Sequence, residues 1–256
     1  MTGGVGATLL NAESLLLLVA IAAAASFAKG VTTFGLNLIG VPAIATLFDV
    51  QTAVVVTLLP KFLSDIYMAW ESRDGASREA IHGVAAFAIS GSVAVACATF
   101  LLASLANRSL TLILGAFVLF FVLLQLSPRP PVIPARYRQA WGVGFGLLSG
   151  ASQALTGVAG PTTSIYLYSL SLDTTAFVFV SSLIYLALDI LQLSAFAWFG
   201  LYSFDRMLVS VTLVLPVMLG TWLGIKCRRR LSARRFRQAL LGMLFLTAIA
   251  LIIKGL

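Results

Sequence analysis

Four charged residues stand inside long apolar runs: Lys29 in SFAKGVTTFG, Lys61 and Asp65 in LLPKFLSDIY, and Asp189 in YLALDILQL. A lysine at the centre of a bilayer costs roughly 2.5–3.5 kcal/mol on insertion scales, so each such residue needs a partner or a task. Lys29 either pairs with a buried carboxylate, or snorkels, or lends positive charge to an anion site. Lys61 and Asp65 are one helical turn apart and can neutralise each other. The alternative is a coupling site, in which a proton on Asp65 frees Lys61 for a substrate. Asp189 has no Lys or Arg within a turn, and Tyr185 and Gln192 share its face. A carboxylate so placed suits a proton relay, or a hydrogen-bonded structural role.

Lys29 sits where the apolar run is interrupted by GVTTFGLNLIGVP. A second interruption, TGVAGPTTS, carries no lysine. It and its approach offer Ser152, Gln153, Thr156, Thr162, Thr163 and Ser164 as oxygen-binding groups or as partners for interrupted backbone. In hydrocarbon an unmade backbone hydrogen bond is costly, and irregular chain is tolerated only inside protein or beside a water-filled cavity. The start of a helix after such a break presents free N–H groups and partial positive charge, which favour an anion.

Other chemistry is poorly supplied. One histidine, His82, and two distant cysteines, Cys97 and Cys227, argue against a zinc or haem site. Paired histidines, a nucleophile elbow and a P-loop are absent from the sequence, so no cofactor or ATP hydrolysis is expected and an enzyme is disfavoured.

The elements that must position these residues follow from composition. The 256 residues are 60% hydrophobic and 10% charged, with a mean hydropathy of +1.02. Soluble domains average about 25% charged residues, so the chain reads as an all-α, polytopic membrane protein. Ten apolar segments are expected at Ser14–Ala28, Leu36–Phe48, Thr52–Trp70, Ala80–Ala106, Leu110–Leu126, Gln139–Leu155, Thr163–Leu172, Thr174–Phe199, Arg206–Ile225 and Gln238–Ile253. The second and seventh are too short to span a hydrocarbon core of about 30 Å at 1.5 Å per residue. They follow the two interruptions, at matching places in the chain. Asp65 and Asp189, and several glycines, recur in step. Two repeats are therefore expected, 12–127 and 138–254, with broken or re-entrant helices at the first pair of each. An odd number of crossings per repeat makes the repeats inverted.

The net charge of +8 reads as orientation, not as nucleic-acid binding. Seven of 17 basic residues lie between Lys226 and Arg237. With an odd number of crossings per repeat, whether the first pair crosses twice or re-enters, twelve basic residues fall on one side and three on the other: Arg108, Arg206 and Lys254. The rich side is cytoplasmic by the positive-inside rule, and both termini are then periplasmic. Lys226, Arg228, Arg229 and Arg230 could also hold anionic lipid head groups. Gly142, Gly146 and Gly150, extended by Ala154, form a small-residue ridge for close helix packing within the chain. A homodimer is the alternative use of that ridge.

With the repeats in hand, the chain resembles the TauE/SafE family of sulfite and organosulfonate exporters. The residues that carry the likeness are Gly35, Asn37, Gly40 and Pro42, then Gly157, Gly160 and Pro161 within GVAGPTTSIYLYSL. Ala159 stands where that family's pattern leads one to expect glycine. The resemblance implies a bacterial inner-membrane permease that exports a small oxyanion by alternating access. The substrate-binding set is then Lys29, Gly35, Asn37, Lys61, Gln153, Gly157, Gly160, Thr162 and Thr163, with Asp65 and Asp189 for coupling. A cation- or proton-linked carrier using the two aspartates, a membrane enzyme and an assembly subunit are the competing readings.

Overall fold

The computed structural model of the chain describes residues 11–33, 35–126, 135–228 and 233–255. Ser127–Pro134 of the link between the expected repeats, and Arg229 and Arg230, lie outside them. The described residues form ten α-helices and no strand. In chain order these are α1 Ala12–Thr32, α2 Val41–Leu47, α3 Val50–Glu71, α4 Arg78–Ser104 and α5 Asn107–Leu126. There follow α6 Arg138–Thr156, α7 Gly160–Tyr168, α8 Thr174–Trp198, α9 Phe204–Cys227 and α10 Ala233–Gly255. A π-helical turn, Leu36–Gly40, leads into α2. The ten apolar segments match these helices to within a few residues. The largest shifts are at the start of α2, where the π-helical turn takes the first residues, and at α10, which begins inside the basic run.

Five helices (α1, α3, α4, α8 and α9) are long and apolar enough to cross a membrane. Their polarity is arranged for lipid. Trp198, Phe204, Leu16 and Ile89 are among the most exposed side chains, while Lys29, Lys61, Asp65, Asp189 and Gln153 are buried. The four tryptophans, Trp70, Trp141, Trp198 and Trp222, all stand within two turns of a helix end, as in an interfacial belt.

Capping fixes where helices begin. The Asp49 carboxylate accepts from Thr52 N–H at 2.7 Å. Asp173 accepts from Thr175 and Ala176 N–H at 2.8 and 2.9 Å. At the other ends, cations cap carbonyls left without partners. Lys254 Nζ donates to the carbonyls of Ala45, Thr46 and Phe48 at 2.8, 3.0 and 2.6 Å, closing α2. Arg228 donates from Nη2 to Gly30 O and from Nε to Val31 O at 2.8 and 3.1 Å, closing α1. Burial lowers the Arg228 pKa from its usual value.

Two helix pairs lie in backbone contact through glycine. A Cβ on Gly150 of α6 would overlap the carbonyl oxygen of Gly91 in α4, and one on Gly146 would overlap that of Phe87. A Cβ on Gly224 of α9 would overlap the carbonyl oxygen of Phe27 in α1, and one on Gly220 would strike Ser26 Oγ. The ridge Gly146–Gly150 is thus used within the chain. Gly142, at the same spacing, lets the Tyr166 ring approach instead.

Candidate functional site

The site grows from two places where a helix stops. The α1 helix closes with Thr33 N–H donating to Lys29 O at 2.6 Å, and Thr33 is left-handed at φ +83°. The α6 helix closes with Gly157 N–H donating to Gln153 O at 2.8 Å, and Gly157 is left-handed at φ +70°. Each stop places a long polar side chain, Lys29 or Gln153, one turn before the reversal. The two reversals touch: Asn37 Nδ2, in the π-helical turn, donates to Gly157 O. A left-handed threonine is unusual because its branched Cβ crowds the following carbonyl. We expect Thr33→Gly to raise the stability of the purified protein by about 1 kcal/mol, read as a higher melting temperature in detergent. No change, or a fall, would mean Thr33 is held by contacts a glycine cannot replace.

Between the stops lies a small cavity with room for about one water molecule. Lys29, Thr33, Leu36 and Asn37 line one wall and Gln153, Gly157, Ala159 and Gly160 the other. Lys61 of α3 and Tyr185 of α8 close it.

The four buried charges form one cluster at its edge. Lys61 Nζ donates to both Asp189 oxygens at 2.5 and 2.6 Å, and lies 3.3 Å from Asp65 Oδ2. Lys29 Nζ is 2.8 Å from Asp65 Oδ1. Its directed hydrogen bonds go instead to Ser64 Oγ at 2.6 Å and Lys61 O at 3.2 Å, so this pair is held by charge more than by hydrogen-bond geometry. Gln153 Nε2 adds a bond to Asp189 Oδ1 at 2.7 Å. Gln192 Nε2 steadies Gln153 through its backbone oxygen at 3.2 Å. The ammonium of Lys61 also stands 5.1 Å from the centre of the Tyr185 ring. Just outside the helices, burial pushes the Tyr202 hydroxyl pKa up, with the negative charge of Asp189 adding to it.

Of the residues singled out from the sequence, Lys29, Asn37, Lys61, Gln153, Gly157 and Gly160 line this one cavity, with Asp65 and Asp189 directly behind. Three members of the expected binding set do not line it, nor do Ser152, Thr156 and Ser164. Gly35 is packed on the backbone of Ala28 and Lys29. Thr162 bonds Ala159 O at 2.9 Å, and Thr163 shares a bond with Ser149 Oγ at 2.9 Å. Two expectations change. Asp189 has a cation, Lys61, supplied from another helix. The cavity edge is also not electropositive in sum, because two lysines face two aspartates. Thr33, Leu36, Ala159 and Tyr185 line the cavity without having been placed in the binding set, and Ser64 was not singled out at all. Tyr185, one turn before Asp189, and Ser64, one turn after Lys61, carried a spacing signal; Thr33 carried none.

Among the described residues no group of three or more His, Cys, Asp or Glu side chains could hold a metal ion. No curated protein and no solved structure matches the chain. A family model described as "Sulfite exporter TauE/SafE" matches residues 18–251, nearly the whole length. With apolar helices, a lipid-facing exterior and this match, the protein is a multi-pass membrane permease, and the chain belongs to the sulfite exporter TauE/SafE family.

Proposed function

We propose that the chain exports a small oxyanion, such as sulfite or an organosulfonate, across a bacterial inner membrane by alternating access. The site is the cavity between the stops at Thr33 and Gly157, near the membrane midplane. Its binding groups are Lys29, Asn37, Lys61 and Gln153, and its coupling groups are Asp65 and Asp189. The observation that carries this reading is that two buried lysines and two chain reversals, far apart in sequence, share one cavity inside a lipid-facing shell.

Inverted repeats over 12–127 and 138–254, each opening with a broken or re-entrant helix, are part of the proposal. Three pairs of landmarks support them at one constant offset of 124 residues: Thr33 with Gly157, Asp49 with Asp173, and Asp65 with Asp189. Helix packing supports them as well. The α4–α6 and α1–α9 contacts exchange under that correspondence, as do α3–α9 and α4–α8, while α3–α8 and α5–α10 map onto themselves. Periplasmic termini rest on the twelve-to-three division of basic residues. A cavity with room for about one water cannot hold an oxyanion, so the site must widen to load. A cation carrier is less well supported, since both carboxylates already face lysine ammonium groups.

Protein reconstituted in liposomes should take up labelled sulfite above the level of empty liposomes. Lys29→Ala should cut the flux at least about tenfold, equivalent to ~1.4 kcal/mol. Uptake equal to empty liposomes for sulfite and for every sulfonate tried would remove the reading.

A further inference from the structure

The charge cluster is balanced, and balance constrains what can enter it. Lys29, Lys61, Asp65 and Asp189 are each at most 5% exposed, and their charges cancel. A single added anion leaves one uncompensated negative charge in a medium that penalises it heavily. A proton must arrive with the anion, and the site indicates which carboxylate takes it.

The repeat correspondence separates the two aspartates. At the offset that aligns Asp65 with Asp189, Lys29 aligns with Gln153 and Lys61 with Tyr185. Both cations therefore come from one half of the chain. Asp65 has a lysine on either side, at 2.8 and 3.3 Å. Asp189 has neutral residues at the equivalent places and, among the described residues, is ion-paired with Lys61 alone, which like Lys29 lines the cavity. The groups facing Asp189 are Lys61, with Asp65 and Lys29 behind it, Gln153 of α6, Tyr185 and Gln192 on its own helix, and Tyr202 beyond α8. The α4 helix, also packed on α8, brings Gly91 against Leu188 there. A neutral acid at this position finds an acceptor: Gln153 Oε1 is buried with no hydrogen-bond partner. A half-turn of that amide presents Oε1 to an Asp189 O–H and its N–H groups to the cavity.

Resting on the anion-carrier reading, we propose that a monovalent oxyanion loads by replacing Asp189 on Lys61, while Asp189 takes one proton from water. Asp65 stays ionised as the fixed counter-charge of Lys29. One proton then travels with each monoanion, and both leave together when the site opens on the far side. Transport is electroneutral; of the two carboxylates assigned to coupling, Asp189 alone carries the proton, and Asp65 is a positioning residue.

The test uses liposomes holding the full chain, with methanesulfonate as probe because its single charge does not change with pH, and sulfite in parallel. Internal pH is followed by a trapped dye, and the membrane potential is set with potassium and valinomycin. In wild type, an anion gradient should move protons one for one, and an imposed potential should not change the flux. In Asp189→Asn the flux should persist without proton movement and become potential-driven. Anion flux in wild type with no accompanying protons, or Asp189→Asn flux that still carries protons, overturns the proposal while leaving the carrier reading intact. If neither anion moves in wild type, the carrier reading itself fails. If Asp189→Asn does not fold, the wild-type proton count alone decides.

Discussion

Replacing Lys61 with methionine is expected to abolish anion flux and to cost the fold about 3–5 kcal/mol, the usual penalty for leaving a buried partner charge unpaired. Among the described residues Lys61 is the one cation that touches both carboxylates, bonding Asp189 at 2.5 Å and standing 3.3 Å from Asp65. Without it, Asp65 keeps Lys29, but Asp189 is left fully buried beside neutral Gln153 and Tyr185. Methionine is chosen because it keeps the length of the aliphatic stem. The loss should be recovered in the double variant Lys61→Met with Asp189→Asn, in which Lys29 and Asp65 remain as a balanced pair. That recovery should appear in thermal melts of the detergent-solubilised protein and not in transport. A double variant that also regains transport would show that Lys61 serves only to neutralise Asp189 and does not meet the substrate.

Gly150→Val is expected to be the most damaging substitution away from the charges. Even a Cβ at this position would fall on the carbonyl oxygen of Gly91, and it would also lie 2.9 Å from Ala94 Cβ. Neither backbone can yield without separating α4 from α6. Overpacking a well-packed contact costs about 1–3 kcal/mol, and a clash with backbone lies at or beyond the upper end. The α6 helix carries Gln153 and the Gly157 reversal, so the loss should extend from stability to transport. Gly144→Val, on the same helix with open space around it, is the matched control and should behave as wild type. Equal melting temperatures for the two variants would contradict the close α4–α6 contact.

The helices were legible because each apolar run ends in residues that stop or start one: Asp49 and Asp173 cap α3 and α8, and Pro161 opens α7, where a missing N–H does no harm. The interruptions before α2 and α7 were legible for the reason that hydrocarbon tolerates so little irregular backbone. Side-chain partnerships across helices were not. The spacing of Lys61 and Asp65 foretold their contact, but the shorter bond runs from Lys61 to Asp189, 128 positions away. Spacing within one helix carries no information about such a partner. The same limit hid the Asn37 bond to Gly157, and it made the site look electropositive. Pairing of Lys29 with a carboxylate and of Lys61 with Asp65 were both readings of the sequence, but spacing did not show that two helices from opposite halves deliver their carboxylates to the same point. The left-handed Thr33 ran against sequence preference altogether, since glycine is the residue expected there.

In the proposed carrier the oxyanion sits between the two reversals, against Lys29 and Lys61. Selenite, in which selenium replaces the sulfur of sulfite, makes the bound anion directly visible by anomalous scattering from crystals of the protein grown with it. An anomalous peak is expected in the cavity between Thr33 and Gly157, with selenite oxygens within hydrogen-bond distance of Lys61 Nζ or Lys29 Nζ. A peak elsewhere in the protein, with this cavity unoccupied under conditions where reconstituted protein carries the anion, would contradict that placement.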